Sequence, residues 1–199
     1  VQISTDIIQQ LREKTGCGMM DCKKALTEAK GDMEKAADLL RQKGLASLAK
    51  RAERVAAQGV VASYIHPGDK IGVLLEVNCE SDFVARGDDF KNFAKELALQ
   101  IAAQNPQYLT RDEVPAGILD HELDILKAQA KQEGKPEKAI EKITTGRMEK
   151  FYSEMCLMDQ VYIRDPKKTI KDLWGELSAK IGENIVIRRF TRYQLGEKS

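Results

Sequence analysis

The hydrophobic period changes twice along this chain, and those changes set the order of its elements. Before about residue 57 the apolar residues recur at helical spacing; from Val60 to Cys79 they alternate, and from Asp88 onward the helical spacing returns. Val60 to Ile65 and Ile71 to Cys79 are expected strands, joined by a turn of His66, Pro67, Gly68 and Asp69. Ile71, Val73, Leu75, Val77 and Cys79 share one face, and the next helix, Asp88 to Gln104, carries Phe90, Phe93, Ala94, Leu97, Ala98 and Ile101 in one stripe. A helix laid over a hairpin dries both apolar surfaces. Between them lies EVNCESDFVAR, residues 76–86, where Asp82 stands beside Phe83 and Val84 at the strand exit. Such an aromatic either starts a helix and buries its ring at home, or probes another molecule; both readings stand at this point.

Ahead of the hairpin, STDIIQQLREK at 4–14 places Ile7, Ile8 and Leu11 on one helical face, with Ser4 or Asp6 to cap its free amides. Gly16 and Gly18 break the chain, and MMDCKKALTEAK restarts a helix that Gly31 ends. Asp32 then caps a third helix bearing Met33, Ala36, Ala37 and Leu40, expected to stop at Gly44. The reading is a three-helix domain at 1–45, too small to be very stable and suited to docking. LASLAKRAERVAA at 45–57 follows as part of a helical link, 46–58, with Lys50, Arg51 and Arg54 on one cationic side, a pattern that usually marks a solvated face.

The remainder, 59–199, reads as a body of the form β-β-α-rich-β, and the whole as α+β. Pro106 ends the long helix, and further helices are expected at 118–132, near 137–143, at 147–158 and at 169–181, with Arg164, Asp165 and Pro166 as a turn. Met148, Phe151, Tyr152 and Met155 form a stripe best explained by core packing. The last strand, Asn184 to Leu195, carries arginines on both faces, which suits an edge strand or one facing another subunit.

No motif of covalent chemistry is present. His66 and His121 lack zinc-ligand spacing, the glycines of TGCGMM do not follow a strand as a phosphate cradle would, and Asp82 as an acid has only Glu80 near it. Metal, cofactor and catalytic residues are therefore expected to be none. The four cysteines, Cys17, Cys22, Cys79 and Cys156, have no CxxC spacing and read as small packed thiols. With 32 Lys plus Arg against 31 Asp plus Glu, the net charge of +1 exerts no global pull on nucleic acid. Arg188, Arg189 and Arg192 near Phe190 and Tyr193, with the basic first third, keep RNA binding as the alternative. No apolar run approaches membrane-spanning length, so the expected location is the cytoplasm, or an organelle if a transit segment has been removed.

LREKTGCGMMDCKKAL at 11–26, EVNCESDFVAR at 76–86 and the closing IRRFTRYQLGE resemble the elongation factor Ts family, guanine-nucleotide exchange factors of translational elongation factor Tu. The resemblance covers practically the whole chain. It implies a ubiquitin-associated-like head, an α/β dimerisation body with a small antiparallel sheet, and a short single-core form with one copy of that body and little room for the duplicated core and helical-hairpin insertion of longer members. Such a form is expected to pair with itself and bind elongation factor Tu in a 2:2 assembly. The resemblance also assigns Phe83, with Asp82, to wedging between helices of the GTPase, which disturbs the magnesium ion and phosphate loop holding GDP. Ser81 and Val84 flank the pair, while Arg12, Met19 and Met20 match head residues that contact the GTPase, with Lys23, Lys24 and Arg51 as weaker candidates.

Two positions depart from the family's usual residues, Cys17 in place of alanine and Ser81 in place of threonine, and both remain small. Some short members bridge their dimer through a cysteine in the last strand; this strand has none, so a dimer must rest on packing.

Overall fold

The structure, a computed structural model, describes residues 3–15 and 17–197, without the side chains of 45–49; the expected break at Gly16 falls outside the described residues. It is mixed α and β. Three helices come first: α1 (Thr5–Thr15), α2 (Met19–Glu28) and α3 (Met33–Arg51). Then follow β1 (Gln58–Ile65), β2 (Ile71–Cys79), the short α4 (Asp82–Arg86) and α5 (Asp88–Gln104). Helices α6 (Ala116–Gln132) and α7 (Glu137–Met155) precede a ribbon of β3 (Val161–Tyr162) and β4 (Asp165–Thr169), and α8 (Ile170–Ile181) and β5 (Val186–Gln194) complete the order.

The chain divides into two compact units. The first takes the chain through Ala62, then Leu75–Glu96 and Asp172–Phe190. Its opening helices enclose a core of their own: Ile8, Leu11, Cys22, Ala25, Leu26, Ala36 and Leu40 are buried together, with Met33 and Ala37 packed against them. The capping is as the side chains suggest, with the Ile7 amide donating to Ser4 Oγ at 3.4 Å and the Lys35 amide to Asp32 Oδ1 at 3.1 Å.

Helix α3 does not stop at Gly44 but runs to Arg51, and the expected helical link is instead irregular over 52–57. A glycine ends a helix when it adopts a left-handed turn; left in helical conformation it costs about 1 kcal/mol against alanine, which the helix-forming LASLAKR behind it can carry. Arg51 is also only 8% exposed, so it does not lie on a solvated cationic face.

In this unit the second half of β2 buries alternate residues, Leu75, Val77 and Cys79, and the first half of α5 buries Phe90, Phe93 and Ala94. Each fully buried large apolar side chain contributes about 1.5–3 kcal/mol. Gly59 is required by its setting: with φ at 150°, a side-chain carbon there would stand 2.2 Å from the Val77 carbonyl oxygen of the neighbouring strand. The Trp174 indole donates to the Ile185 carbonyl at 2.7 Å and ties α8 to the start of β5.

The second unit comprises Ser63–Leu74, Leu97–Lys171 and the chain from Thr191. Here the expected helices at 137–143 and 147–158 are one, α7, which continues through Gly146 because Ile140, Thr144 and Met148 bury a single stripe across it. Helices α6 and α7 pack as a hairpin; the chain turns at Gly134 (φ 70°), and Arg147 holds Glu133 at 2.7 Å. The expected turn at 164–166 belongs instead to the β3–β4 ribbon, behind which buried Gln100 donates to Gln160 and to the Val161 carbonyl, both at 3.1 Å. Arg111 forks between Glu149 and Asp159 and stacks over the Tyr152 ring at 4.5 Å.

The three-stranded sheet has the order β1-β2-β5, so the arginine-bearing last strand is an edge. The hairpin closes with the His66 amide on the Ile71 carbonyl at 2.9 Å, and the Leu195 amide on the Lys70 carbonyl at 2.8 Å sets β5 antiparallel to β2.

Candidate functional site

The turn after β2 is built from polar contacts. Ser81 is extended (φ −121°, ψ 152°), as an N-cap must be, and its hydroxyl accepts from the Val84 amide at 3.4 Å, opening α4. Five residues are too few for a helix to hold itself in water. The hold comes from Glu183, between α8 and β5, whose carboxylate accepts from the Glu80 and Ser81 amides, both at 3.1 Å, and from the Ser81 hydroxyl at 2.6 Å. Glu80 returns the contact, accepting from the Asn184 amide at 2.6 Å.

On this braced turn Ala85 faces inward and is buried, Val84 is half-buried, and Phe83 is 84% exposed. The ring is thus not packed at home, in contrast to Phe90 at 0% and Phe93 at 4% on the following helix. Asp82 is exposed and meets Arg86 at 2.7 Å, an ion pair of the solvated kind that contributes little. An open depression of about 550 Å³ lies against Phe83, bordered by Val84, Asp89, Phe90 and Lys180. Lys180 reaches Asp89 at 2.7 Å.

The remaining candidates sit on the three-helix bundle. Met19 and Met20 open α2 and are 38% and 64% exposed; Lys23 and Lys24 follow them, and Arg12 lies exposed in the last turn of α1. Behind them Cys22 is fully buried, and that burial pushes its thiol pKa up. Arg51, unlike both groups, is buried. Its Nε and one Nη are buried without a hydrogen-bond partner, and its pKa is lowered first by burial and then by neighbouring Arg54, while Glu80 pulls it the other way.

The residues expected from sequence thus fall at two places: Ser81, Asp82, Phe83 and Val84 on the turn after β2, and Arg12, Met19, Met20, Lys23 and Lys24 exposed on α1 and α2. Sequence reasoning missed Glu183, Asn184 and the return contact from Glu80. No local signal marks Glu183, which acts on a turn 102 positions away. The arginines of β5 are engaged within the chain: Arg189 holds Glu76 at 2.8 Å, and Arg192 donates to Gln194 at 2.6 Å. Among the described residues no group of three or more His, Cys, Asp or Glu side chains gathers as a metal site, and no helix is long and apolar enough to cross a membrane.

The site is thus an exposed aromatic on a hydrogen-bonded turn, with two exposed methionines on the small bundle. Comparison with known sequences supplies the class. The family model described as Elongation factor TS matches residues 5–197. Curated proteins named Elongation factor Ts are similar over nearly the whole chain. The protein from Thermoanaerobacter sp. (strain X514) is 62% identical over 195 residues, covering 98% of this chain and 96% of its own length. That from Caldanaerobacter subterraneus subsp. tengcongensis is 59% identical over 195 residues, covering 98% of each, and that from Anaeromyxobacter sp. (strain K) is 59% identical over 196, covering 98% of this chain and 90% of its own. The chain belongs to the elongation factor Ts family, and its role lies in translation elongation, a part of protein biosynthesis.

Proposed function

We propose that this chain is a guanine-nucleotide exchange factor that binds elongation factor Tu carrying GDP and promotes release of the nucleotide, so that GTP can enter. The observation that carries the reading is the 84% exposed ring of Phe83 on a turn fixed by the Glu183 carboxylate. Burying a ring of this size against a partner supplies binding free energy, and aromatic anchors of this kind dominate many interfaces. Phe83, with Asp82 beside it, enters between helices of the GTPase and disturbs the magnesium and phosphate-loop region there. Ser81 and Val84 set the angle of entry. No covalent step is needed, because exchange follows from linkage: a protein that binds the nucleotide-free GTPase more tightly than the GDP form lowers GDP affinity by the same factor.

The division of labour is a head at 1–45, a link at 46–58 and a body at 59–199. The head grips the same partner with Met19 and Met20, whose flexible side chains suit a shallow groove, and with Arg12, Lys23 and Lys24 at the rim. Buried Arg51 is a support in this reading rather than a contact. Pairing with a second copy completes a 2:2 assembly; in the second unit Ile65, Leu74, Tyr193 and Leu195 stand 49–75% exposed and supply apolar surface for a partner. The place of action is the cytoplasm, where elongation proceeds.

The test is release of a fluorescent GDP from elongation factor Tu of the same source, with and without this chain. Acceleration that saturates with chain concentration supports the proposal, and an unchanged release rate sinks it. The solution mass of the complex tests the 2:2 stoichiometry.

A further inference from the structure

We infer that Glu183 and Asn184 form a brace that positions Phe83, and that Glu183 is a positioning residue for nucleotide exchange although it does not itself contact the partner. The inference rests on the exchange reading above and deepens it. Glu183 takes three donors from the turn that launches α4: the Glu80 amide, the Ser81 amide and the Ser81 hydroxyl, at 3.1, 3.1 and 2.6 Å. Hydrogen bonds to an ionised carboxylate are shorter and about twice as strong as neutral ones. All three converge on the residues immediately before Asp82, so the direction in which α4 leaves the strand is set here.

The neighbouring residue holds the other end. Asn184 is 6% exposed; its side-chain amide donates to the Arg54 carbonyl at 2.8 Å and the Ala52 carbonyl at 3.4 Å, in the segment that leaves α3. Its backbone amide donates to Glu80, and Glu80 also meets Arg54 at 3.5 Å. Two consecutive residues thus clamp the wedge turn on one side and the end of the head's last helix on the other. The side-chain partners are specific: one carboxylate oxygen takes both backbone amides and the other takes the Ser81 hydroxyl, whereas an amide in its place removes the charge that strengthens all three bonds and forces the Ser81 hydroxyl to accept instead of donate. The Ser81 hydroxyl is shared, giving its proton to Glu183 and accepting from Val84, so the brace is continuous with the helix cap.

The chain is otherwise well packed around this region, with Cys79, Ala85, Ile185 and Ile187 all buried, so loss of the carboxylate leaves the core in place and frees the turn. A wedge of unchanged chemistry then enters its partner at scattered angles, and small misplacements of a productive group are costly.

The experiment uses the full chain and elongation factor Tu carrying a fluorescent GDP, in a cycle of wild type, Glu183→Gln, Phe83→Ala and the double variant. Positioning predicts that Glu183→Gln lowers the release rate at saturating chain by about tenfold, within the range of coupling seen for linked groups. It also predicts that the change adds little once Phe83 is already gone, and that Glu183→Asp, which keeps both oxygens, recovers part of the loss. A Glu183→Gln variant that exchanges at the wild-type rate, or a double variant whose loss is the full product of the two single losses, overturns the inference while leaving the exchange reading intact. Failure of the wild type to accelerate release overturns that reading instead. Circular dichroism checks folding; should Glu183→Gln unfold, the same cycle is run with Ser81→Ala, which removes the 2.6 Å bond from the other side.

Discussion

The wedge turn and the three-helix head both present apolar side chains to solvent, but they are held by different physics. Phe83 stands on five helical residues fixed by directional, charge-assisted hydrogen bonds from a distant part of the sequence. Met19 and Met20 stand on a bundle that encloses a small buried core. Directional bonds set an angle; a small core sets a shape while leaving flexible methionines free to adapt. Under the proposed exchange function the difference matches two tasks: one element enters a partner at a defined angle, and the other holds on.

Breaking the head's core is expected to have the largest effect. Leu26 is fully buried there, and Leu26→Ala should destabilise the bundle by about 2–5 kcal/mol, the usual range for a leucine truncated in a core. Hydrogen exchange should then speed up at amides of α1 to α3 while the Ser81 amide, donating to Glu183, keeps its protection. Equal loss of protection at both places would show that the two regions do not differ as described. A smaller effect is expected from Met20→Ala: affinity for elongation factor Tu should fall by about fivefold, read by titration, with the saturating release rate unchanged. A change in that rate would move Met20 from grip to wedge.

A further expected effect is a pH dependence of stability. Burial, followed by the charge of Glu183, pushes the Cys79 thiol from 9.0 up to about 11, and burial, followed by the charge of Asp159, does the same for Cys156. Between these values the folded protein keeps the thiol protons while the unfolded chain has lost them. Both groups therefore contribute stability that is present below about pH 9 and is lost as pH rises toward about 11. Denaturant midpoints measured from pH 8 upward should decline across that window, and Cys79→Ala should make the decline shallower; an unchanged slope would remove Cys79 as its source.

Much of the fold was legible because it rests on local periodicity. The hairpin, the α5 stripe from Phe90 to Ile101, the first two helices and the start of the third follow from apolar spacing and from caps such as Ser4 and Asp32. Helix ends were less legible where glycine was the only stop signal. Gly44 and Gly146 sit inside α3 and α7, since helix formers or a buried stripe on either side outweigh a cost of about 1 kcal/mol. The short β3–β4 ribbon was hidden because two- and five-residue strands carry almost no period.

At the candidate site, the residues that point outward were marked by the unusual pairing of Asp82 with Phe83 and by the family resemblance. The residues that hold them were not. Glu183 and Asn184 look like an ordinary helix exit, and only the folded chain brings them to Ser81. Arg51 shows the opposite failure: a basic run suggested a solvated face, yet tertiary packing buries that one side chain.

The most direct test is the saturating rate of GDP release from elongation factor Tu, measured by stopped flow with wild type and with Phe83→Ala. The ring is exposed, so its removal should leave the melting temperature unchanged, while the saturating rate should fall by about thirtyfold, the rate equivalent of about 2 kcal/mol of contact made only on the way to release. A Phe83→Ala variant that remains folded and releases GDP at the wild-type saturating rate would contradict the account.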